Sequence, residues 1–427
     1  MKKILSRVVI VLFMTLSLSG CAHGDKNIGV VNISILNSKP EIQVALEDAA
    51  KEFFEKNTNI KIKIIKFSQN QTYYNKLTSM YGYGNAPTMT LVDPTHIKSL
   101  KDNLVDLSSE EWVKDISGGI PDIAKKENGE ILGFPFATEG IGLIYNKKVI
   151  TEAGIDVNKI NTTKSLEEAF KKIESIDKKG VIITNESWSL GDHFLSTAYS
   201  AQSKDTKNII EYIEKIKNGN LKLKDDIKLN GLLNTFDVIK NYNIYKDTPL
   251  APSYDKCSEV LGKGEVGFWY MGNWASKPIL DNSKDNKEYG FIPVPISNNS
   301  SDYGNNEITL GVTKYIVIDK ANNSEEQQEA AKKFLNWMVY EKEGQDFMTN
   351  KAGVIPAFGN IKIEQTDPLV NDILKYKENK KTMELMNSYL PGDNSENVGV
   401  GLRKYLSGEI NRDQLIDLIQ QYWQNQK

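Results

Sequence analysis

Strand-like and helix-like segments alternate over residues 29–92, and this alternation constrains the fold more than any other feature. Gly29–Asn37 is apolar and Asn59–Phe67 alternates Ile and Lys with period two, as strands do. Between them, Glu41–Asn57 repeats apolar residues at helical spacing, and Thr88–Val92 is a third apolar strand. Helices between successive strands predict parallel βαβ units, in which ligands bind beyond the carboxyl ends of the strands.

Polar and aromatic side chains follow the carboxyl ends of these predicted strands. We expect them at the rim of one crevice, and they are Asn37, Ser38, Gln69, Gln71, Tyr73 and Asp93. Asp93 has a second interpretation, because an aspartate before Thr95 would also cap the helix predicted to begin there.

The stretch Ile131–Lys148 has the features of an extended crossover between two lobes. Pro135 cannot donate to a sheet ladder and favours an extended conformation at Phe134. Glu139 and Gly140 then precede an apolar strand. An ordinary hairpin is the alternative for the stretch, and a hinge salt bridge is the alternative to a ligand contact for Glu139.

Beyond this crossover the strand and helix signals resume. Ser165–Glu168 predicts a capping box that opens a helix, and Asn185–Asp192 is predicted as a loop that carries Trp188. Tyr289–Ile296 contains two prolines and is predicted as a second extended crossover. Glu325–Met348 has the apolar periodicity of one long helix.

The amino terminus has the pattern of a lipoprotein signal. A basic segment precedes the apolar run Val8–Leu18, which is too short to span a membrane and ends in Ser19-Gly20-Cys21. This ending resembles a bacterial lipobox and implies cleavage before Cys21 and lipidation of its thiol; a plain secretory signal is the alternative. Residues 1–20 are therefore expected to be removed, and residues 21–28 to tether the protein to the extracytoplasmic face of the cell membrane.

Length and composition exclude several classes of protein. A chain of 427 residues is too long for one core and favours two domains. The formal net charge is −3 and the lysines alternate with acids, which argues against a nucleic-acid partner. The three histidines have no metal-ligand spacing, so we expect no metal and no other cofactor. After cleavage Cys257 would be the one cysteine besides Cys21, which excludes an intramolecular disulfide.

Several further segments follow one another in an informative order, although none is specific alone. They are the lipobox, Ala49–Asn57, Ala86–Asp93, Gly133–Lys147, Gly264–Ala275, Phe291–Pro295, and Ala331–Gln345 before Gly353–Pro356. In this order they resemble the extracellular solute-binding proteins of carbohydrate ABC importers, the family that includes maltose-binding protein. The resemblance covers nearly all of the chain after residue 20.

The resemblance implies an α/β, two-lobed fold of the periplasmic-binding-protein type II class, with hinge strands and sugar in the interlobe cleft. We expect crossings near Glu139, Pro293 and Glu341–Gly344. The amino-terminal lobe would then comprise residues 29–138 and 294–343. The carboxy-terminal lobe would comprise residues 139–293 and 344–427.

The resemblance also assigns roles to residues. The acid in the first hinge matches Glu139, the acid after the third strand matches Asp93, and the aromatic of the Gly-Asn-Trp turn matches Trp274. A pyranose offers an apolar face to aromatic rings and hydroxyl groups to acids and amides. Trp274 is therefore the expected stacking platform and Trp188 the second. Asn273, Gln69, Gln71, Tyr73, Asn37 and Ser38 are expected as further ligand contacts.

The implied function is a monomeric, lipid-anchored binding protein that delivers a sugar or oligosaccharide to the membrane subunits of an ABC permease. A non-sugar solute such as a polyamine, a ferric ion or a peptide is the alternative. Iron sites in related folds favour adjacent tyrosines, and Tyr73-Tyr74 is the one such pair in the sequence. A glycoside hydrolase would need two facing carboxylates. Asp93 and Glu139 have no general-acid motif around them, so no catalytic residue and no enzyme are expected.

Overall fold

A computed structural model of the chain describes residues 29–66, 73–363 and 367–426. The predictions for the signal segment, Cys21, the tether, Gln69 and Gln71 lie outside the described residues. Within the described part, no helix combines the length and the apolar character needed to cross a bilayer.

The described residues form an α/β structure. The strands are β1 Val31–Asn37, β2 Ile60–Lys66, β3 Met89–Val92, β4 Phe134–Asn146, β5 Lys179–Ile182, β6 Val266–Gly272, β7 Tyr289–Ile292, β8 Ile308–Ile318 and β9 Thr382–Glu384. The α-helices are α1 Gln43–Lys56, α2 Tyr73–Gly82, α3 Pro94–Leu100, α4 Lys147–Glu152, α5 Thr163–Glu174, α6 Ser196–Ser200, α7 Thr206–Lys217, α8 Ile227–Tyr242, α9 Tyr254–Gly262, α10 Ser276–Asp281, α11 Glu325–Tyr340, α12 Lys342–Asp346, α13 Pro368–Glu378, α14 Val400–Ser407 and α15 Arg412–Asn425.

The strands pair in the order β2-β1-β3-β8-β4-β6-β5, with β7 also on β4 and β9 also on β8. The pairs of β1 with β2 and with β3 are parallel, as the alternating segments predict. The long strands β4 and β8 pair with each other in antiparallel fashion and join the two ends of the sheet.

Strands β4 and β8 run from one hydrophobic core to another. Phe134 and Ile316 pack in a core with α1, α11 and the first parallel strands, which we call the first lobe. Ile141 and Ile308 pack in the cores around β6, which we call the second lobe. The strand passes from the first core to the second at Gly140. This residue packs closely against Ile373 of the second lobe, since a Cβ on Gly140 would lie 2.7 Å from the Ile373 side chain. The predicted extended crossover at β4 is therefore observed as one continuous strand.

The exact limits of the lobes stay a prediction, and the packing favours other positions for two of the crossings. Val294 and Ile296 return to the core of the second lobe after Pro293. Phe347 and Phe358 pack in the core of the first lobe, beyond Glu341–Gly344. Side-chain packing thus favours a second crossing within β8 and a third after Phe358.

Two local predictions were wrong in position. Thr162, not Ser165, caps α5, because Thr162 Oγ1 accepts from Ser165 N and Ser165 Oγ accepts from Thr162 N, each at 3.0 Å. The predicted long helix Glu325–Met348 is broken at Glu341, whose extended backbone separates α11 from α12.

The predicted loop Asn185–Asp192 is helical from Ser187 onward. Trp188 leads directly into a π-helical turn, Ser189–Phe194. This turn packs against a second π-helical turn, Ser395–Gly399, and the contact supports helical backbone where local sequence indicates a loop.

Candidate ligand-binding cleft

Trp274 projects from the turn that follows β6. A Cβ on Gly272 would overlap the indole ring, so glycine at this position allows the ring to lie against the backbone. The side chain of the buried Asn273 accepts a hydrogen bond from Gly140 N at 3.0 Å, which ties the turn to the crossing strand β4. Asn273 thus helps to fix the position of the turn that carries Trp274.

Three rings from the second lobe form a cluster that we call the aromatic wall. The ring centroids of Trp188 and Trp274 are 6.1 Å apart. His193 lies 5.4 Å from Trp188 and 5.6 Å from Trp274. All three side chains are half-buried, so they cover one another in part and keep surface for a ligand.

Lys39, two residues after the end of β1, faces this wall from the first lobe. Its Nζ lies 5.8 Å from the ring centroid of Trp274 and forms ion pairs with Glu139 at 2.6 Å and Glu41 at 2.7 Å. Burial alone would lower the pKa of the Lys39 ammonium, but the two carboxylates raise it well above its usual value. Thr313 donates to the second carboxylate oxygen of Glu139.

Both oxygens of Glu139 therefore have protein partners, and the side chains of Lys39 and Glu139 are each 5% exposed. This geometry favours the hinge salt bridge, which was the alternative to a ligand contact for Glu139. Asn37 supports the same pair, because its side chain accepts from Lys39 N and donates to Lys39 O, both at 2.9 Å. Ser38 lies half-buried in the same loop.

Asp93 forms an ion pair with Lys314 of β8 at 2.5 Å, and its second oxygen lies 3.8 Å from His96 Nδ1. Its side chain is 39% exposed; Asp93 occupies the N-cap position of α3, but its side chain makes no capping hydrogen bond to the helix. Desolvation opposes ionisation, but Lys314 and then His96 hold the pKa of Asp93 below its usual value. Asp93 is a carboxylate that remains accessible.

Tyr73 lies beneath Asp93. Its hydroxyl donates to Leu91 O, and its ring centroid is 6.3 Å from that of His96. Burial and then the charge of Asp93 raise the pKa of the Tyr73 hydroxyl well above its usual value. We call Lys39, Glu139, Asp93 and Lys314 the polar wall, because they are charged side chains of the first lobe and the crossing strands at this cleft.

The two walls act on each other electrostatically. Burial lowers the pKa of His193 to about 4; Asp93 opposes this shift, and Lys314 and Lys39 add to it. His193 is therefore neutral at pH 7. Further along the cleft, α3 of the first lobe contacts the 3-10 turn Met386–Tyr389 of the second lobe.

The structure brings together Asp93, Tyr73, Trp188, Trp274 and the Lys39–Glu139 pair. Sequence reasoning missed Lys39, Lys314 and His193. Lys39 lies two residues after the carboxyl end of β1, in the predicted crevice, and this position in the sequence could have identified it. Nothing local marks Lys314, whose partner Asp93 is 221 positions away.

No three His, Cys, Asp or Glu side chains cluster as metal ligands within residues 29–66, 73–363 and 367–426. Cys257 is buried, and burial raises the pKa of its thiol to about 12, so it is unreactive at neutral pH.

Residues 48–373 match the family of bacterial extracellular solute-binding proteins, and the chain belongs to this family. Its members are solute-binding proteins rather than enzymes. A curated relative, the arabinooligosaccharide-binding protein of Halalkalibacterium halodurans, is 24% identical over 242 residues. That match covers 56% of this chain and 47% of the relative, so the chain spans about half the length of the curated relative it matches.

Solved structures are similar over nearly the whole chain. The solute-binding protein RafE in complex with raffinose has a TM-score of 0.78 at 18% identity, over 92% of this chain and 99% of RafE. The apo form of RafE from Streptococcus pneumoniae has a TM-score of 0.69 at 19% identity, over 93% and 98% of the two chains. A sugar transporter protein from Bacillus licheniformis in complex with stachyose scores 0.73 at 18% identity, over 93% and 100%. These likenesses confirm the predicted two-lobed α/β fold.

Proposed function

We propose that this protein captures an uncharged oligosaccharide between its lobes and serves as the binding subunit of an ABC importer. The observation that carries the proposal is the pair of indole rings, Trp188 and Trp274, opposite the accessible carboxylate of Asp93. Rings cover the apolar faces of pyranoses, and a carboxylate accepts their hydroxyl groups strongly.

The ligands of similar proteins support the same proposal. The curated relative is described as binding arabinooligosaccharides, and the similar structures hold raffinose and stachyose.

The geometry gives less support to the non-sugar alternatives. A polyamine would find the carboxylates of Glu139 and Asp93 already paired with Lys39 and Lys314, so it would gain little from them. A ferric ion would need a free tyrosine hydroxyl, whereas Tyr73 donates to Leu91 O. We therefore retain oligosaccharide as the expected ligand class.

The test is a thermal-shift screen on residues 25–427. The panel comprises raffinose, stachyose, arabinotriose, xylotriose, chitotriose, maltose, spermidine, a short peptide and ferric citrate. A ligand far above its Kd stabilises the fold by several kcal/mol and raises the Tm by degrees. We expect a shift with one sugar class only. A shift only with spermidine, the peptide or iron would contradict the proposal.

We further propose that the protein is anchored by lipid on Cys21 and passes its ligand to a membrane permease. The support is the Leu18–Cys21 sequence and the family's extracellular role. A Cys21→Ala variant expressed with labelled fatty acid should lose the label and appear in the medium, and retention on the membrane would overturn the anchor.

A further inference from the structure

Asp192 is a half-buried acidic residue of the second lobe. It lies on the π-helical turn Ser189–Phe194, next to His193 of the aromatic wall. The charges that act on it include Asp93 and Lys314 of the polar wall. Asp192 therefore lies beside the aromatic wall, in the lobe opposite the one that carries Asp93.

One carboxylate oxygen of Asp192 accepts a hydrogen bond from the protein, and the other has no donor within the described residues. Asn394 Nδ2 donates to Asp192 Oδ1 at 2.7 Å. Among the residues that the structure describes, none donates a hydrogen bond to Oδ2, and the side chain is half-buried. Asp192 thus keeps an oriented acceptor that the protein itself does not use.

The position of Asn394 is fixed by a close backbone contact. Asn394 precedes the π-helical turn Ser395–Gly399, and a Cβ on Gly191 would lie 2.7 Å from the backbone of Gly399. π-helical turns are frequent at functional sites because they re-aim side chains. Here two such turns meet and bring the amide to the carboxylate.

Hydrogen-bonding capacity is also unmet around this pair. Asn394 Oδ1 and Asn387 Oδ1 are buried and have no partner within the described part of the chain. Asn387 lies on the Met386–Tyr389 turn, which contacts the turn that carries Asp192. An unpaired buried polar atom costs about 1–3 kcal/mol, so such atoms indicate a place where a bound molecule completes the network.

We propose that Asp192 accepts a hydroxyl group of the bound oligosaccharide through Oδ2, and that Asn394 is the residue that positions it. This inference rests on the proposed function and adds a second carboxylate contact, from the lobe opposite Asp93. A sugar held by one acid from each lobe favours the closed arrangement, since neither lobe alone satisfies both edges of the ring.

The proposal has a consequence for pH. Burial raises the pKa of Asp192 to about 7, the Asn394 hydrogen bond opposes the shift, and Asp93 and Glu396 add to it. A hydroxyl donor binds the charged carboxylate more strongly than the protonated form. Affinity should therefore approach its maximum near pH 8, where most of the carboxyl group is ionised, and fall as the pH decreases through 7 toward 6.

Other groups near Asp192 do not produce this profile. His193 titrates near pH 4, below the range used. Burial and the neighbouring acids, first Asp393, raise the pKa of Tyr422 far above that range. The titratable and charged groups that surround the carboxyl group are Asp93, Lys314, Glu396, Tyr422 and His193.

The test is calorimetric titration with raffinose, arabinotriose, xylotriose and chitotriose at pH 6, 7 and 8. We expect Asp192→Asn to weaken binding about tenfold at pH 8 and to remove the pH dependence. Asn394→Ala should move the midpoint of the wild-type pH profile upward, because the ionised carboxylate loses its donor. Asp302→Asn is the matched control, since Asp302 accepts from the Asn299 amide at 2.8 Å on the surface loop after β7.

Melting temperatures measured without sugar establish that each variant is folded. If Asp192→Asn does not fold, Asn394→Ala provides the test. An Asp192→Asn protein with wild-type affinity and pH dependence overturns this inference alone. Affinity that rises as the pH falls also overturns it. Wild-type protein that binds none of these four sugars, and neither stachyose nor maltose from the thermal-shift panel, overturns the proposed function and this inference with it.

Discussion

The two walls of the cleft are built from different chemistry. The polar wall of the first lobe consists of charges that are already paired, Lys39 with Glu139 and Asp93 with Lys314. The aromatic wall of the second lobe consists of Trp188, Trp274 and a neutral His193. One wall is rich in hydrogen-bonding groups, and the other offers ring faces.

The difference indicates how a ligand would lie. Because the charges of the polar wall neutralise one another, a charged ligand gains little and an uncharged, hydroxyl-rich one is favoured. Its apolar face would rest on Trp274 while one edge meets Asp93. Within the polar wall the two ion pairs also differ, since the Lys39–Glu139 pair is buried and Asp93 stays accessible.

The largest effect should come from breaking the buried pair. Glu139→Gln leaves the Lys39 ammonium with Glu41 alone, and we expect the free energy of unfolding to fall by about 3 kcal/mol. Urea denaturation measures this. Glu329→Gln is the control, because its pair with Lys332 at 2.8 Å lies at the surface and should contribute little. A variant with wild-type stability that has lost sugar binding would make Glu139 a ligand contact instead.

The aromatic wall should give the next effect. Trp274→Ala removes the stacking surface, and we expect sugar affinity to fall by about 2 kcal/mol, roughly thirtyfold. Calorimetry with the sugar identified by the thermal-shift screen measures the change. Tyr83→Ala is the control, because Tyr83 is 83% exposed on the first lobe and outside the cleft. Equal affinities for the Trp274 variant and wild type would contradict the role of this wall.

The accessible pair of the polar wall should give a smaller change. Asp93→Asn keeps the shape and replaces a charged acceptor by a neutral one, so affinity should fall by about 1.4 kcal/mol, roughly tenfold. Asp48→Asn is matched to it, since Asp48 pairs with Lys51 at 2.7 Å on exposed α1. If both variants bind like wild type, the ligand does not use the polar wall at Asp93.

The smallest effect concerns the neutral histidine. The pKa of His193 is about 4 in the folded protein and near 6.5 when unfolded, so the unfolded chain binds the extra proton. Its contribution to stability is complete above pH 6.5 and is lost as the pH falls toward 4. Asp192 has the opposite sign, because its pKa is raised to about 7. We therefore expect the Tm of His193→Gln to increase relative to that of wild type as the pH falls from 6.5 to 4.5, and a constant difference between the two proteins would contradict this.

Sequence patterns predict the elements that local rules determine. The strands β1, β2 and β3 and the helix α1 follow apolar periodicity and are found within a few residues of their predicted limits. Trp269, Trp337 and Trp423, which lie in apolar strand or helix patterns, are fully buried. In these segments the residues that the apolar periodicity predicts to be buried are the ones that pack in the cores.

The candidate site is less predictable because its contacts join distant residues. Lys39 and Glu139 are 100 positions apart, and no local pattern indicates that they pair. Trp188 lies beside Trp274, in a helical segment rather than in the predicted loop. Its helical backbone depends on packing between Gly191 and Gly399, which a short sequence window does not contain.

The stacking platform rests on a residue that has no side chain. Because a Cβ on Gly272 would overlap the indole of Trp274, the tilt of the ring is determined by the backbone beneath it. Under the proposed function, glycine at position 272 would therefore influence which ligand fits, because it determines where the indole ring can lie. A protein engineer who wished to re-aim the platform for a differently linked sugar would begin at position 272 and leave the tryptophan in place.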